Sequence, residues 1–284
     1  MAHENDVAGN NLSVTRCGGS IFAWGQRTYI MGIINLSPDS FSGDGCTSID
    51  RALLQAQRFA GEGADIIDVG GASTRPDAPP VPLDKELKRV IPFIKELVKA
   101  VNIPVSVDTS KYEVARQALD AGAGMVNDIS GLNMQPSILS LVAQRQVPLV
   151  LTSNERGRAC PDIIETVTGS LQKLIRLAMD AGVSWHNLVI DPGIGFGKTG
   201  AQNLEIMRRL ADFKVLGRPI LIGTSRKSFI RNVLGTDSEA LLQGTAATLA
   251  IGICNGADMV RVHDVREMSL VCSMSDAIIR GRDG

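Results

Sequence analysis

LVIDPGIGFGK, residues 188–198, carries the chain from an apolar run into a loop rich in special backbone residues. The run ends on Asp191. Pro192 cannot donate to a sheet ladder, and Gly193, Gly195 and Gly197 allow tight turns and close approach of a ligand to the backbone. A carboxylate at the C-terminal tip of a buried parallel strand, followed by a glycine-rich loop, is a common binding-site arrangement in α/β proteins. The same residues would equally serve a helix cap and turns, so the stretch taken alone leaves both readings open.

Working outward, similar runs too short for helices recur: YIMGII (29–34), ADIIDV (64–69), IPVSV (103–107), GMVN (124–127), VPLVL (147–151), NLVI (187–190), RPILIG (218–223) and ADMVRV (257–262). They are rich in Val, Ile and Leu without strict alternation, as expected of strands covered on both faces. Helical patterns lie at 50–62, 83–101, 111–121, 136–145, 162–181, 203–210, 241–254 and 265–280. Alternation of this kind predicts a single (β/α)8 barrel, a TIM barrel, over residues 21–284. Residues 1–20 read as an N-terminal extension, ragged or strand-forming, that closes the barrel bottom. A helix-Gly-strand junction recurs at Gly63, Gly122, Gly182 and Gly256, where a helix would end with positive φ. An open doubly wound sheet is the alternative, but no G-x-G-x-x-G joins a first strand to a helix.

At 284 residues the chain can bury a large core, and a net charge of -1 with 44% hydrophobic residues gives no polyanion-binding signature, so nucleic acid is not an expected partner. No apolar run approaches the roughly 20 residues needed to span a bilayer, and the N-terminus lacks the apolar centre of a signal peptide. A cytoplasmic protein is expected. The 5 cysteines are scattered without C-x-x-C spacing and the 3 histidines are far apart, which argues against a disulfide framework or a zinc cluster.

In a barrel of this type the active site is built just beyond the C-terminal strand ends. These ends are Asn35; Asp68, followed by a loop with Thr74 and Arg75; Asp108; Asn127 with Asp128; Thr152 with Ser153; Asp191; Ser225, Arg226 and Lys227; and Arg261 with His263. Loop tips are polar in any protein, but Asp108, Asn127 and Asp191 abut apolar runs, where an unpartnered polar group is costly. Together with Lys227 they suit a flat heterocycle carrying N–H and carbonyl groups on one edge. Arg261 and His263 precede a D-x-x-E sequence at 264–267 that reads as a capping box for the last helix. Such a helix start suits phosphate or pyrophosphate; an ion pair of Arg261 with Asp264 or Glu267 is the alternative. Asn35 and the polar groups of the first two loops could help hold Mg2+. Loops 36–47 and 70–82 read as lids, and Phe41, Pro76 and Phe196 either face an aromatic second substrate or anchor their loops.

INLSPDSFSGDG, DVGGASTRPDA, SVDTSK, NDISG, IDPGIGFGK, TSRKSF and RVHDV, in that order, resemble the dihydropteroate synthase family from near Met31 to the C-terminus, about nine-tenths of the chain. The resemblance implies a barrel enzyme of folate biosynthesis. It would condense 6-hydroxymethyl-7,8-dihydropterin pyrophosphate with para-aminobenzoate by SN1-like loss of pyrophosphate, and be a sulfonamide target and a homodimer. Residues matching Asp108, Asn127, Asp191, Phe196 and Lys227 would bind the pterin. Asn35, Thr74, Arg75, Arg261 and His263 would hold pyrophosphate, with Asn35 also serving Mg2+. Phe41, Thr74, Pro76, Phe196, Lys227 and Ser228 would line the para-aminobenzoate pocket, and Asp108, Lys227, Arg261 and His263 would carry catalysis. The chain departs from the family where a Met-His pair is usual, having Thr152, Ser153 and Asn154, and has Ala72 where Glu is common. Two other readings share the barrel: a pterin-binding methyltransferase, which needs no pyrophosphate site, and a degenerate pterin-binding paralogue without turnover.

Overall fold

The computed structural model describes residues 14–36, 49–72, 79–235 and 238–281. A hairpin, β1 (Val14–Cys17) and β2 (Ser20–Ala23), precedes a run of alternating strands and helices. In chain order these are β3 (Tyr29–Asn35), α1 (Ile49–Gly61), β4 (Ile66–Gly70), α2 (Leu83–Ala100), β5 (Val105–Asp108), α3 (Tyr112–Asp120), β6 (Met125–Asp128), α4 (Pro136–Arg145) and β7 (Leu149–Thr152). They continue as α5 (Ile163–Asp180), β8 (Leu188–Asp191), α6 (Gly200–Arg208), β9 (Leu221–Ile222), α7 (Ser228–Leu234), α8 (Ser238–Cys254), β10 (Met259–Val262) and α9 (Val265–Arg280).

β3 to β10 form one parallel sheet in the order β8-β7-β6-β5-β4-β3-β10-β9. A parallel bridge between Ile190 and Ile220 joins its two ends and closes the (β/α)8 barrel that the alternating pattern predicts. Side-chain alternation divides the apolar residues into two shells. Met31, Ile66, Met125, Val150, Val189, Leu221 and Met259 fill the lumen, whereas Ile67, Val107, Leu149, Leu151 and Ile190 pack outward against helix residues such as Phe93, Ile94 and Leu174. The hairpin spans position 20 and belongs to the inner shell: Cys17, Phe22 and Trp24 are buried with Tyr29, and the Phe22 and Trp24 rings stack 5.5 Å apart. The four recurring junction glycines have φ between 88° and 107°. Among the described residues, no helix is long and apolar enough to cross a membrane.

Several elements differ from the sequence reading: α8 begins at Ser238 rather than 241, and the run 218–223 yields only the short β9. Residues 228–234, given no helix in the sequence reading, form α7; seven residues are too few for helical periodicity to stand out, and the turn is fixed by burial of Phe229 and Ile230. α6 begins at Gly200 rather than 203, because Thr199 and Gln202 make a reciprocal capping box.

Candidate active site

The lumen changes from apolar to polar in a single layer. Two residues beyond Ile66, Met125, Val150, Val189 and Met259, alternation turns Asp68, Asn127, Thr152, Asp191 and Arg261 inward, joined by Ser106 and Asp108 of β5, whose outward neighbours Val105 and Val107 face the helices. Strand register sets these groups side by side: Asp108 opposite Asn127, and Thr152 opposite Asp191.

Arg261 organises one half of this layer. Its Nε donates to Asp68 Oδ2 at 2.6 Å and its Nη2 to Asp108 Oδ2 at 2.7 Å. Asn127 Nδ2 donates to the same Asp68 oxygen at 2.9 Å. One guanidinium therefore bridges two buried carboxylates, and the triad carries a net negative charge at neutral pH when both are ionised. Burial nevertheless pushes the Asp108 carboxyl up to about 7, against the opposing pull of Arg261.

The other half is built on 188–198. Asp191 accepts from Gly193 N at 2.7 Å, and burial raises its pKa against that bond and the nearby cations Lys227, Lys198 and Arg261. Lys227 lies 4.5 Å from the centroid of the Phe196 ring, and desolvation lowers its pKa to about 8. The loop holds its shape because Lys198 Nζ donates to the carbonyls of Ser153, Gly193 and Phe196 at 2.8, 2.9 and 3.2 Å. Burial lowers the Lys198 pKa, also to about 8. Packing is close enough to demand glycine. A Cβ on Gly193 (φ +72) would stand 1.8 Å from Ser153 O, and one on Gly197 (φ +69) would stand 2.2 Å from Arg156 N.

At the rim, Ser225 Oγ lies 3.0 Å from His263 Nδ1 and accepts from His263 N at 3.2 Å. The capping box expected at 264–267 is absent. Asp264 makes no side-chain cap bond, because its carboxylate takes the Arg226 fork, Nε at 3.1 Å and Nη2 at 2.6 Å. Nor does Arg261 pair with Asp264 or Glu267; its inward direction on β10 delivers it to Asp68 and Asp108 instead.

The fold thus gathers Asp108, Asn127, Asp191, Phe196, Lys227 and Arg261 at the barrel mouth. Asn35 ends β3 beside them, His263 stands at the rim and Ser228 is exposed at the start of α7. Phe41, Thr74, Arg75 and Pro76 lie outside the described residues. Two residues given no role by the sequence reading belong to the site structurally: Asp68, named only as a strand end, which ties Arg261 to Asn127, and Lys198, which holds the glycine loop. Asp68 carries the same signature as Asp108 and Asp191, a carboxylate within an apolar run. Lys198 closes the stretch 188–198, but nothing in the linear sequence shows that it collects carbonyls of two loops.

Comparison with known proteins agrees with this geometry. The family model described as pterin binding enzyme matches residues 31–263. The dihydropteroate synthase of Bacillus subtilis is 44% identical over 261 residues, covering 92% of each chain. A crystal structure of dihydropteroate synthase from Clostridium difficile, in the presence of pteroic acid, superposes with a TM-score of 0.86 at 46% identity, covering 91% of this chain and 99% of that one. The Xanthomonas albilineans dihydropteroate synthase with 4-aminobenzoic acid gives a TM-score of 0.86 at 40% identity, covering 93% and 97%. With its barrel, its polar mouth and these relatives over nearly its whole length, the chain belongs to the dihydropteroate synthase family of pterin-binding enzymes.

Proposed function

We propose that the protein condenses 6-hydroxymethyl-7,8-dihydropterin pyrophosphate with para-aminobenzoate to give 7,8-dihydropteroate and pyrophosphate, with the pyrophosphate leaving before the arylamine attacks. The observation that carries this reading is the layer of Asp68, Asp108, Asn127, Asp191 and Arg261 closing the apolar lumen. Buried carboxylates and amides converging there suit the N–H and carbonyl edges of a pterin and the positive charge that develops on it when the anion departs. Asp108 holds that charge. Asn127, Asp191 and Lys227 fix the ring. Phe196, against the Lys227 ammonium, offers an apolar face to the pterin and to para-aminobenzoate.

Arg261 and His263 receive the leaving pyrophosphate, with Thr74 and Arg75 contributed by the second loop. Phe41, Thr74, Pro76, Lys227 and Ser228 complete the arylamine pocket. Mg2+ is part of the same proposal. In support, Asn35 Oδ1 and Asp108 Oδ2, two hard oxygen donors, lie 3.5 and 3.7 Å from the position a Cβ on Gly70 would take. Among the described residues no group of three His, Cys, Asp or Glu could hold a metal, so pyrophosphate and water oxygens would supply most of the coordination. When bound, the ion neutralises charge on the leaving group. A cytoplasmic homodimer is the setting we assign to this activity.

Incubating the purified protein with the pterin pyrophosphate, para-aminobenzoate and Mg2+ should yield dihydropteroate and pyrophosphate in equal amounts. A protein that binds pterin but forms neither product would be the turnover-free paralogue instead.

A further inference from the structure

Thr152 ends β7 fully buried, and its Oγ1 makes no hydrogen bond among the described residues. Every other buried threonine among the described residues has a partner for its hydroxyl. Thr15 donates to His186 O, Thr28 to Asp276, Thr109 to Glu86 and Thr245 to Leu241 O, while Thr224 accepts from Thr248. Its chain neighbour Ser153 is likewise satisfied, donating to Glu155 Oε1 at 2.8 Å. A buried hydroxyl without a partner is costly, and among the described residues only Thr152 and Ser106, both lumen-facing, leave one so.

The position of Thr152 supplies a reason. Val150, two residues earlier, belongs to the lumen cluster, while Leu149 and Leu151 face the helices, so the Thr152 side chain points into the barrel. It is register-paired with Asp191, whose own side chain is inward and engaged by Gly193 N through Oδ1. The two side chains are therefore neighbours on adjacent strands at the mouth: one a carboxylate that accepts, the other a hydroxyl that both donates and accepts.

Resting on the functional reading above, we propose that Thr152 is a specificity-determining residue of the pterin site, its hydroxyl bonding the ring on the edge that Asp191 faces. The hydroxyl thereby trades stability of the empty protein for an additional hydrogen bond to the ligand. Its removal should strengthen the first and weaken the second, a combination that a purely structural role does not produce.

The test compares wild type, Thr152→Ser and Thr152→Val. Dissociation constants for the pterin pyrophosphate are measured by calorimetry, KM for para-aminobenzoate by turnover, and melting temperature without ligand. Thr152→Val, nearly isosteric but lacking the hydroxyl, should bind the pterin about threefold to tenfold more weakly, the usual range for one neutral hydrogen bond. Its KM for para-aminobenzoate should be unmoved and its ligand-free melting temperature equal or higher. Thr152→Ser should bind within about twofold of wild type. Equal pterin affinity for Thr152→Val and wild type would overturn the proposal. So would a loss in Thr152→Ser as large as in Thr152→Val, which would place the contact on the methyl group. Weaker binding accompanied by a lower melting temperature would likewise overturn it. Failure of the wild type to bind any pterin would instead refute the functional reading, and this inference with it.

Discussion

Asp108 and Arg261 are coupled through a buried ion pair, so their substitution should have different physical signatures. Asp108→Asn keeps the shape but removes the negative charge facing the pterin; turnover should fall by at least about 100-fold, with the far-ultraviolet circular dichroism unchanged. Near-normal turnover would remove Asp108 from the mechanism. Arg261→Ala strands Asp68 and Asp108 without their shared cation, and should cost about 3–5 kcal/mol in urea unfolding as well as turnover. The pH dependence follows from two opposed shifts. As pH rises, the Asp108 carboxyl ionises near about 7 and Lys227 loses its proton near about 8, so the state with both groups charged occupies a narrow window between them. The profile of kcat/KM, which reports the free enzyme, should be bell-shaped with limbs near those values. Lys227→Arg keeps its charge throughout and should carry the alkaline limb upward. A limb that stays in place would belong to another group, of which Lys198, also lowered to about 8, is the nearest.

At the scale of elements, the loop after β8 and the helix before it invite opposite treatment of glycine. Gly197→Ala would drive a Cβ into the backbone at Arg156 while holding a φ of +69. It should cost at least about 1–3 kcal/mol and weaken pterin binding, because the loop carries Phe196 beside Lys227. Gly169, inside α5, meets no atom within 4 Å. Gly169→Ala should stabilise the protein by about 0.5–1 kcal/mol without altering turnover, since it removes backbone freedom from the unfolded chain. Thermal unfolding and steady-state assays on the two variants read both outcomes. Long elements with repeated burial were legible in the sequence because their periodicity survives averaging over many residues. The brief α7 was not, since its seven residues are held by burial of Phe229 and Ile230 rather than by local propensity.

For the whole molecule, α9 leaves Leu270, Met274 and Ile278 exposed at 70%, 62% and 72%, spaced four apart on one face. α8 packs beside α9 and adds Ile251, exposed at 53%. Apolar side chains aligned this way favour burial against a second copy. Sedimentation at micromolar concentration should give twice the chain mass, and Leu270→Glu with Ile278→Glu should give a folded monomer. A wild-type monomer would contradict the dimer.

The barrel and the polar ends of its strands are legible in the sequence. Eight apolar runs alternate with helical stretches, and three of those runs end in aspartates that could not be buried cheaply without partners or a ligand. Strand direction then places every such terminus on one face. Partnership, by contrast, is set by packing in three dimensions. Arg261 reaches Asp68 and Asp108 rather than Asp264, Arg226 takes Asp264 from its capping role, Lys198 collects three carbonyls and Thr152, alone among the described buried threonines, keeps an unused hydroxyl. These pairings join residues far apart in the chain, and they depend on side-chain direction and register across strands. A linear pattern of residue types encodes where polar groups must lie, but not which of several nearby partners each one meets.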